Sequence, residues 1–355
     1  MLNSMVAQVS KPVLPSGTTI NDRYELNVKL GSDGDVYEAQ DRYLDKTVAL
    51  KLLYPDGGTP ASWDEAKRLE QLRNRFIVPV LNADVVTSSD IRFITTPLLP
   101  HGDLEADGRP LGLSVAAAVR FGHQIAAGVD AIHAAGMVHR DIKPANALRE
   151  GDIALVTDVA FCSLLNEDGE APRNGSWCTL APETAPDDGV CSISSDIYSL
   201  AATVFYLLSG EYPVDHTLPR REQQSLIAAG DLRDIAEVAP HVPRSVSMVV
   251  RRGMSVNPAS RHGTASAFGN ALATAMGQRR DWKRTSHVGH TYCAQSPASR
   301  GRKAVAVCSE LASQGKITMR AFHPGTGRAV SGVSERVVAT SRSSAALRSY
   351  FALLG

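Results

Sequence analysis

Between residues 24 and 53 the chain alternates apolar and polar positions in short runs broken by Gly and Asp: YELNVKL, then DVYEAQD, then TVALKLL. A period of two bounded by turn residues predicts three antiparallel strands. Residues 62–73 (SWDEAKRLEQLR) change to helical spacing, with Ser62 as N-cap and Asp64 and Glu65 in the first turn. Two further strands are expected near residues 78–82 and 92–96. Residues 97–110 form a Pro- and Gly-rich break. Beyond it the apolar spacing is helical over 114–135, 194–208, 245–254 and 264–276. Gly136 stands at the end of the first of these helices as a C-cap. Strands come first and helices second, without βαβ alternation, so the predicted class is α+β in two lobes.

Length and composition refine this only slightly. The chain has 355 residues, 43% hydrophobic and 21% charged, an ordinary globular mixture that calls for two or three domains or lobes. Five scattered cysteines suggest a reducing compartment and no disulfide framework. The first 17 residues do not read as a signal peptide, and residues 199–209 are too short to span a bilayer. The expectation is a soluble, cytoplasmic protein with no membrane partner.

The segment His139-Arg140-Asp141-Ile142-Lys143-Pro144-Ala145-Asn146 places a carboxylate, an amine and a carboxamide within six residues, just after an apolar helix. Phosphoryl transfer calls for that set. A base accepts the proton of the attacking hydroxyl, a cation neutralises the transferred group, and a neutral oxygen donor helps hold Mg²⁺. A buried, salt-bridged turn is the structural alternative.

Through these residues the chain resembles the protein kinase family, specifically the eukaryotic-like (Hanks-type) Ser/Thr kinases of bacteria, over about residues 20–277. The resemblance implies a bilobal protein kinase fold, with an antiparallel-sheet N-lobe (21–96), a hinge (97–104) and a mainly helical C-lobe (105–277). A flexible tail (1–20) precedes it, and a small basic C-terminal module (278–355) follows. It also implies ATP and Mg²⁺, with Mn²⁺ as an alternative, and protein substrates bearing Ser or Thr acceptors. Asp141 is then the base and Lys143 the phosphoryl-stabilising cation. Asn146 and Asp158 are the metal ligands.

Other motifs extend the resemblance. Leu30-Gly31-Ser32-Asp33-Gly34-Asp35-Val36-Tyr37 is similar to the glycine-rich loop, two residues shorter than G-x-G-x-x-G and carrying two extra acids. Gly31 and Gly34 are its phosphate-approaching glycines. Val48-Ala49-Leu50-Lys51 is similar to the strand bearing the nucleotide lysine, with Glu65 as the pairing acid and Glu70 as a competitor. The hinge backbone at Leu99 and the side chains of Val36, Ala49 and Leu148 would receive adenine, while Pro97 removes one backbone donor. Asp158-Val159-Ala160 stands where the family has Asp-Phe-Gly. Ser176 takes the position that contacts the catalytic Asp and Lys. Glu183 would pair with Arg261, and Asp196 would anchor the catalytic loop. Arg140 suggests control by phosphorylation at Ser163, Ser176 or Thr179. The altered loop and the Asp-Val-Ala motif leave a nucleotide-binding pseudokinase scaffold as the alternative function, beside a cytoplasmic signalling or stress/defence kinase.

The formal charge of zero conceals an asymmetry. Residues 278–355 hold 13 Lys and Arg against 3 Asp and Glu, leaving 24 basic and 34 acidic residues in the remainder. A solvated basic module is the first expectation. An intramolecular contact with the acidic kinase domain comes next, and nucleic acid ranks last. His287, His290, Cys293 and Cys308 can be read as zinc ligands. No second close pair completes a recurrent finger spacing, so surface histidines and buried cysteines are the favoured reading.

Overall fold

The computed structural model describes residues 13–31, 35–54, 72–159, 162–299 and 301–355. The chain divides into two compact units, Met1–Arg73 with Val78–Pro100 and Asn74–Ile77 with His101–Gly355. Gly34, Glu65, Glu70, Ala160 and most of the helix expected over 62–73 lie outside the described residues.

The first unit contains a six-stranded antiparallel sheet: β1 (Thr19–Ile20), β2 (Tyr24–Leu30), β3 (Val36–Asp41), β4 (Lys46–Leu53), β5 (Asn82–Val85) and β6 (Arg92–Pro97). Its order is β1-β2-β3-β4-β6-β5. One face buries Tyr24, Leu26, Tyr37, Ala39, Val48, Leu50, Leu52 and Phe93. Tyr24 and Phe93 meet edge to face, with ring centroids 5.5 Å apart. The strand expected at 78–82 begins instead at Asn82. Pro79 has no N–H to give a ladder, and pairing with β6 is confined to the residues beyond it.

In the second unit α1 (Leu104–Gly108) and α2 (Val115–Ala134) lead into β7 (Met137–Val138), β8 (Ala147–Glu150) and β9 (Ile153–Val156). Three short strands follow: β10 (Ser163–Leu164), β11 (Ala171–Pro172) and β12 (Val190–Cys191). They precede α3 (Ile193–Ser209), α4 (Arg220–Ala229), α5 (Ile235–Val238), α6 (Arg244–Gly253) and α7 (Ala265–Met276). Helix α3 is apolar around almost its whole circumference and is buried accordingly, the signature of a central core helix. A Ser192–Ser195 capping box starts it, and Gly210, with φ of 78°, ends it in the left-handed region. Helix α2 packs against both α3 and α7. The amphipathic α4 was not anticipated, because its RREQQSLIAA sequence exposes most of its surface and buries only Gln223 and Ile227.

Residues beyond 280 form a five-stranded antiparallel meander: β13 (Lys283–Thr285), β14 (His290–Ser296), β15 (Val305–Ser313), β16 (Lys316–Phe322) and β17 (Arg336–Ala339). Helix α8 (Ser343–Leu354) follows. The meander and α8 pack on the helices of the same unit. Trp282 is buried, its ring centroid 4.8 Å from that of Phe351 on α8, and its carbonyl accepts the Val115 N–H at 2.9 Å. Asp281 caps α2 by accepting the Ala116 N–H at 2.8 Å. Among the described residues, Arg284–Glu211, at 3.6 Å, is the one ion pair between the meander and the rest of the unit. Aromatic burial therefore holds this contact more than the charge asymmetry that drew attention to it. Among the described residues no helix is long and apolar enough to cross a membrane.

His241 makes this contact sensitive to pH. Its Nδ1 lies 2.6 Å from the Tyr292 hydroxyl, its ring faces Phe351, and among the described residues its buried Nε2 has no hydrogen-bond partner. Burial pushes the imidazole down to about 3, from an ordinary value of 6.5. Below pH 6.5 the unfolded chain gains a proton that the folded chain refuses, so this contribution to stability falls as pH drops from 6.5 towards 3. Between pH 7 and pH 5 the wild-type protein should lose about 2 kcal/mol more than a His241→Gln variant. Urea unfolding at the two pH values measures this, and parallel losses in both proteins would contradict it.

Candidate active site

The segment 139–146 follows β7 and closes in a 3₁₀ turn at Pro144–Asn146. Its backbone is held from beneath by one buried carboxylate, Asp196, in the first turn of α3. Asp196 accepts the N–H groups of His139 at 2.7 Å and Arg140 at 3.0 Å, and its Oδ2 lies 2.8 Å from His133 Nε2. Burial alone would raise this carboxyl, but His133 and the loop amides outweigh it and hold it below the usual range. His133 was not anticipated. It sits in the last turn of an apolar helix, where no spacing marks it as a partner of a residue 63 positions away.

With the backbone fixed, the side chains converge. Ser176 Oγ donates to Asp141 Oδ1 at 2.7 Å and accepts from Lys143 Nζ at 2.9 Å. Lys143 Nζ is also 3.1 Å from Asp141 Oδ2. Asn146 Nδ2 donates to the Asp141 carbonyl at 2.8 Å and to its Oδ2 at 3.0 Å. Burial pushes the Asp141 carboxyl up, yet the Lys143 ammonium and the Ser176 hydroxyl hold it below the ordinary value. Burial likewise pulls Lys143 down, and Asp141 more than restores it. At neutral pH the pair is therefore carboxylate and ammonium.

The chain around Ser176 is placed by a close approach. Gly175 has φ of 128°, and a Cβ there would lie 2.8 Å from the Arg140 carbonyl oxygen, so a side chain would push the two segments apart. Arg140 itself, with φ of 71°, and Asp158, with φ of 63°, adopt the left-handed conformation without being glycine, a strain that clusters at functional sites. Thr157 ties Asp158 to the catalytic segment. Its N–H donates to the Asn146 carbonyl at 3.0 Å, and its carbonyl lies 2.9 Å from His139 Nε2.

Below this group Glu183 and Arg261 form a bidentate pair, with Nη1–Oε1 at 2.6 Å and Nη2–Oε2 at 2.8 Å. Arg261 also donates to the carbonyls of Ser194, Ser255 and Val256 and stacks over Tyr198.

In the first unit, Val36 lies opposite Lys51, and Ala49 lies opposite Glu38 across the β3–β4 ladder. The three candidates Val36, Ala49 and Lys51 thus share the sheet face opposite the buried core, and all are half-buried. Gly31 follows β2 in the left-handed region, with φ of 71°, and Leu99 is half-buried just past β6. Leu148 belongs to the second unit, on β8 opposite Leu155.

Comparison with known proteins agrees with this arrangement. The family model described as "protein kinase domain" matches residues 24–272. The serine/threonine-protein kinase PknH of Mycobacterium bovis is 29% identical over 260 residues, covering 69% of this chain and 42% of its own. PknD of Mycobacterium tuberculosis is 31% identical over 261 residues, covering 69% and 38%. PknE of Mycobacterium bovis is 31% identical over 263 residues, covering 69% and 45%. The chain thus spans less than half the length of each of these relatives. A sheet-bearing unit, a helical unit holding the Asp141–Lys143–Asn146 group, and a family match over most of its length together mean that this chain belongs to the protein kinase family.

Proposed function

We propose that this chain is an ATP-dependent protein kinase that phosphorylates Ser or Thr hydroxyls of protein substrates. The observation that carries the reading is the Asp141–Lys143–Ser176–Asn146 group. Asp141 is ionised and positioned to orient an incoming hydroxyl and accept its proton. Lys143, held within hydrogen-bonding distance of the same carboxylate, supplies positive charge where the transferred group gains negative charge. The carboxamide of Asn146 spends its N–H groups on Asp141, so its remaining donor to a ligand is an oxygen. That oxygen and the Asp158 carboxylate form the hard donor set a divalent cation prefers, which fits Mg²⁺ or Mn²⁺. When bound, the cation supplies charge neutralisation on the nucleotide phosphates. Lys51, Gly31 and Gly34 are proposed to hold those phosphates, with Glu65 orienting Lys51. Val36, Ala49, Leu148 and the backbone at Leu99 are proposed to hold the adenine.

The test is incubation of the purified protein with γ-labelled ATP and Mg²⁺ or Mn²⁺, with and without a generic protein acceptor. Label is expected on serine or threonine. No label with either cation, or label confined to tyrosine, would overturn the reading.

A further inference from the structure

The C-terminal meander brings together four residues that the kinase reading does not use. One ligand atom from each of His287, His290, Cys293 and Cys308 lies within 4.8 Å of the others. Along the sequence these residues read as surface histidines and buried cysteines. The ladder explains why spacing alone misleads. Cys293 on β14 stands directly opposite Cys308 on β15, which puts both thiols on one face of the sheet. In a regular strand His290, three residues before Cys293, would point to the other face. A bulge between His290 and Tyr292 inserts one residue into β14, and the extra residue returns His290 to the face of Cys293. His287 approaches from the turn before β14.

The donor atoms are aimed consistently. His290 Nδ1 lies 3.2 Å from Cys293 Sγ, and His287 Nδ1 lies 3.7 Å from Cys308 Sγ. The two sulfurs, both free thiols, are 2.8 Å apart. A tetrahedron with ordinary zinc–sulfur and zinc–nitrogen bonds has edges of about 3.3–3.8 Å, so the nitrogen–sulfur spacings are already near this size and the sulfur pair opens by about 1 Å. Each imidazole also turns its other nitrogen to a polar side chain. His290 Nε2 is 3.7 Å from the Glu310 carboxylate, and His287 Nε2 is 3.4 Å from the Gln295 amide. Carboxylate and amide partners of this kind fix the tautomer of metal-bound histidines. The amide of Gln295 can present its oxygen to His287 by a simple flip.

We propose that His287, His290, Cys293 and Cys308 bind one Zn²⁺. Two thiolates and two imidazoles in a compact cluster suit zinc among the common divalent ions. All four positions come from the protein, so the site is structural and leaves no position for a reacting water. Its effect is on β14. The neighbouring Tyr292 carries the hydroxyl that meets buried His241 in the helical part of the unit. Zinc therefore braces the strand that docks the meander, and it does so apart from the catalytic group.

Protein purified under a non-chelating reductant, with zinc in the growth medium, should carry about one zinc per chain by elemental analysis. Replacement by Co²⁺ should give tetrahedral visible bands and thiolate charge-transfer absorption. His290→Gln, at a half-buried position, should remove the metal without removing the fold, as judged by circular dichroism. Glu310→Gln should weaken zinc affinity about 10–100-fold in competition with a chromogenic chelator. A Cys308→Ser variant should lose the charge-transfer band in proportion. Four results would overturn the proposal: metal-free protein after zinc reconstitution, zinc retained undiminished by His290→Gln and Cys308→Ser, a Co²⁺ spectrum without thiolate, or a Cys293–Cys308 disulfide in the reductant-treated protein.

Discussion

An Asp141→Asn variant is expected to lose about 10²–10⁴-fold in kcat for phosphoryl transfer, the usual contribution of a positioned general base. The loss corresponds to about 3–5 kcal/mol of transition-state stabilisation. Asparagine preserves the shape of the side chain and can still accept from Ser176, so the fold and the KM for ATP should change little. What disappears is the negative charge proposed to take the substrate proton, which faces the Lys143 ammonium at 3.1 Å. The pH profile gives an independent check. Lys143 and Ser176 hold the Asp141 carboxyl below its ordinary value against the opposing effect of burial, so its titration adds no acid limb to wild-type kcat above about pH 4. Single-turnover transfer with γ-labelled ATP measures the loss. A variant as fast as wild type would remove Asp141 from proton transfer.

The second large effect is on stability. Arg261→Met should cost about 3–5 kcal/mol, because it strands the half-buried Glu183 carboxylate and unpairs several carbonyls at once. The Arg261 side chain is 0% exposed. Its loss leaves Glu183 without a counter-charge and the carbonyls of Ser194, Ser255 and Val256 without this donor. For a unit of this size the melting temperature should drop by roughly 10 °C. Glu183→Gln retains an acceptor for one guanidinium N–H and should cost less, about 1–3 kcal/mol. Thermal and urea unfolding of the two variants decide the matter. Equal small losses would mean that the pair contributes to shape alone.

Motifs with chemistry packed into a few consecutive residues were legible in the sequence, because local chain geometry keeps them together. The Asp141–Lys143–Asn146 spacing is of this kind, and their hydrogen bonds run within one turn of chain. The strands of the first unit were legible for a similar reason. Their alternation matches a sheet with one buried face, and Val36, Ala49 and Lys51 fall on the other face by register. The Glu183–Arg261 pair, 78 residues apart, came only through the family resemblance. His133 escaped both routes, since nothing local relates it to Asp196. Pro79 was a readable signal that the expected strand over 78–82 ignored.

The C-terminal region marks the limit. The count of 13 basic against 3 acidic residues is fixed by sequence and drew attention to a charged contact. Packing instead seats Trp282, Tyr292 and Phe351 against the helices, because burial of large aromatic surfaces outweighs screened surface charge. Likewise, sequence supplied two histidines and two cysteines, but only the β14–β15 register and one bulge put them on the same face. By itself, then, the sequence determined the period of each element and the composition of the catalytic segment, both set by neighbours along the chain. Tertiary structure decided which distant residues meet. Strand register, helix packing and a one-residue bulge are settled by the burial of whole faces, and no local spacing encodes them.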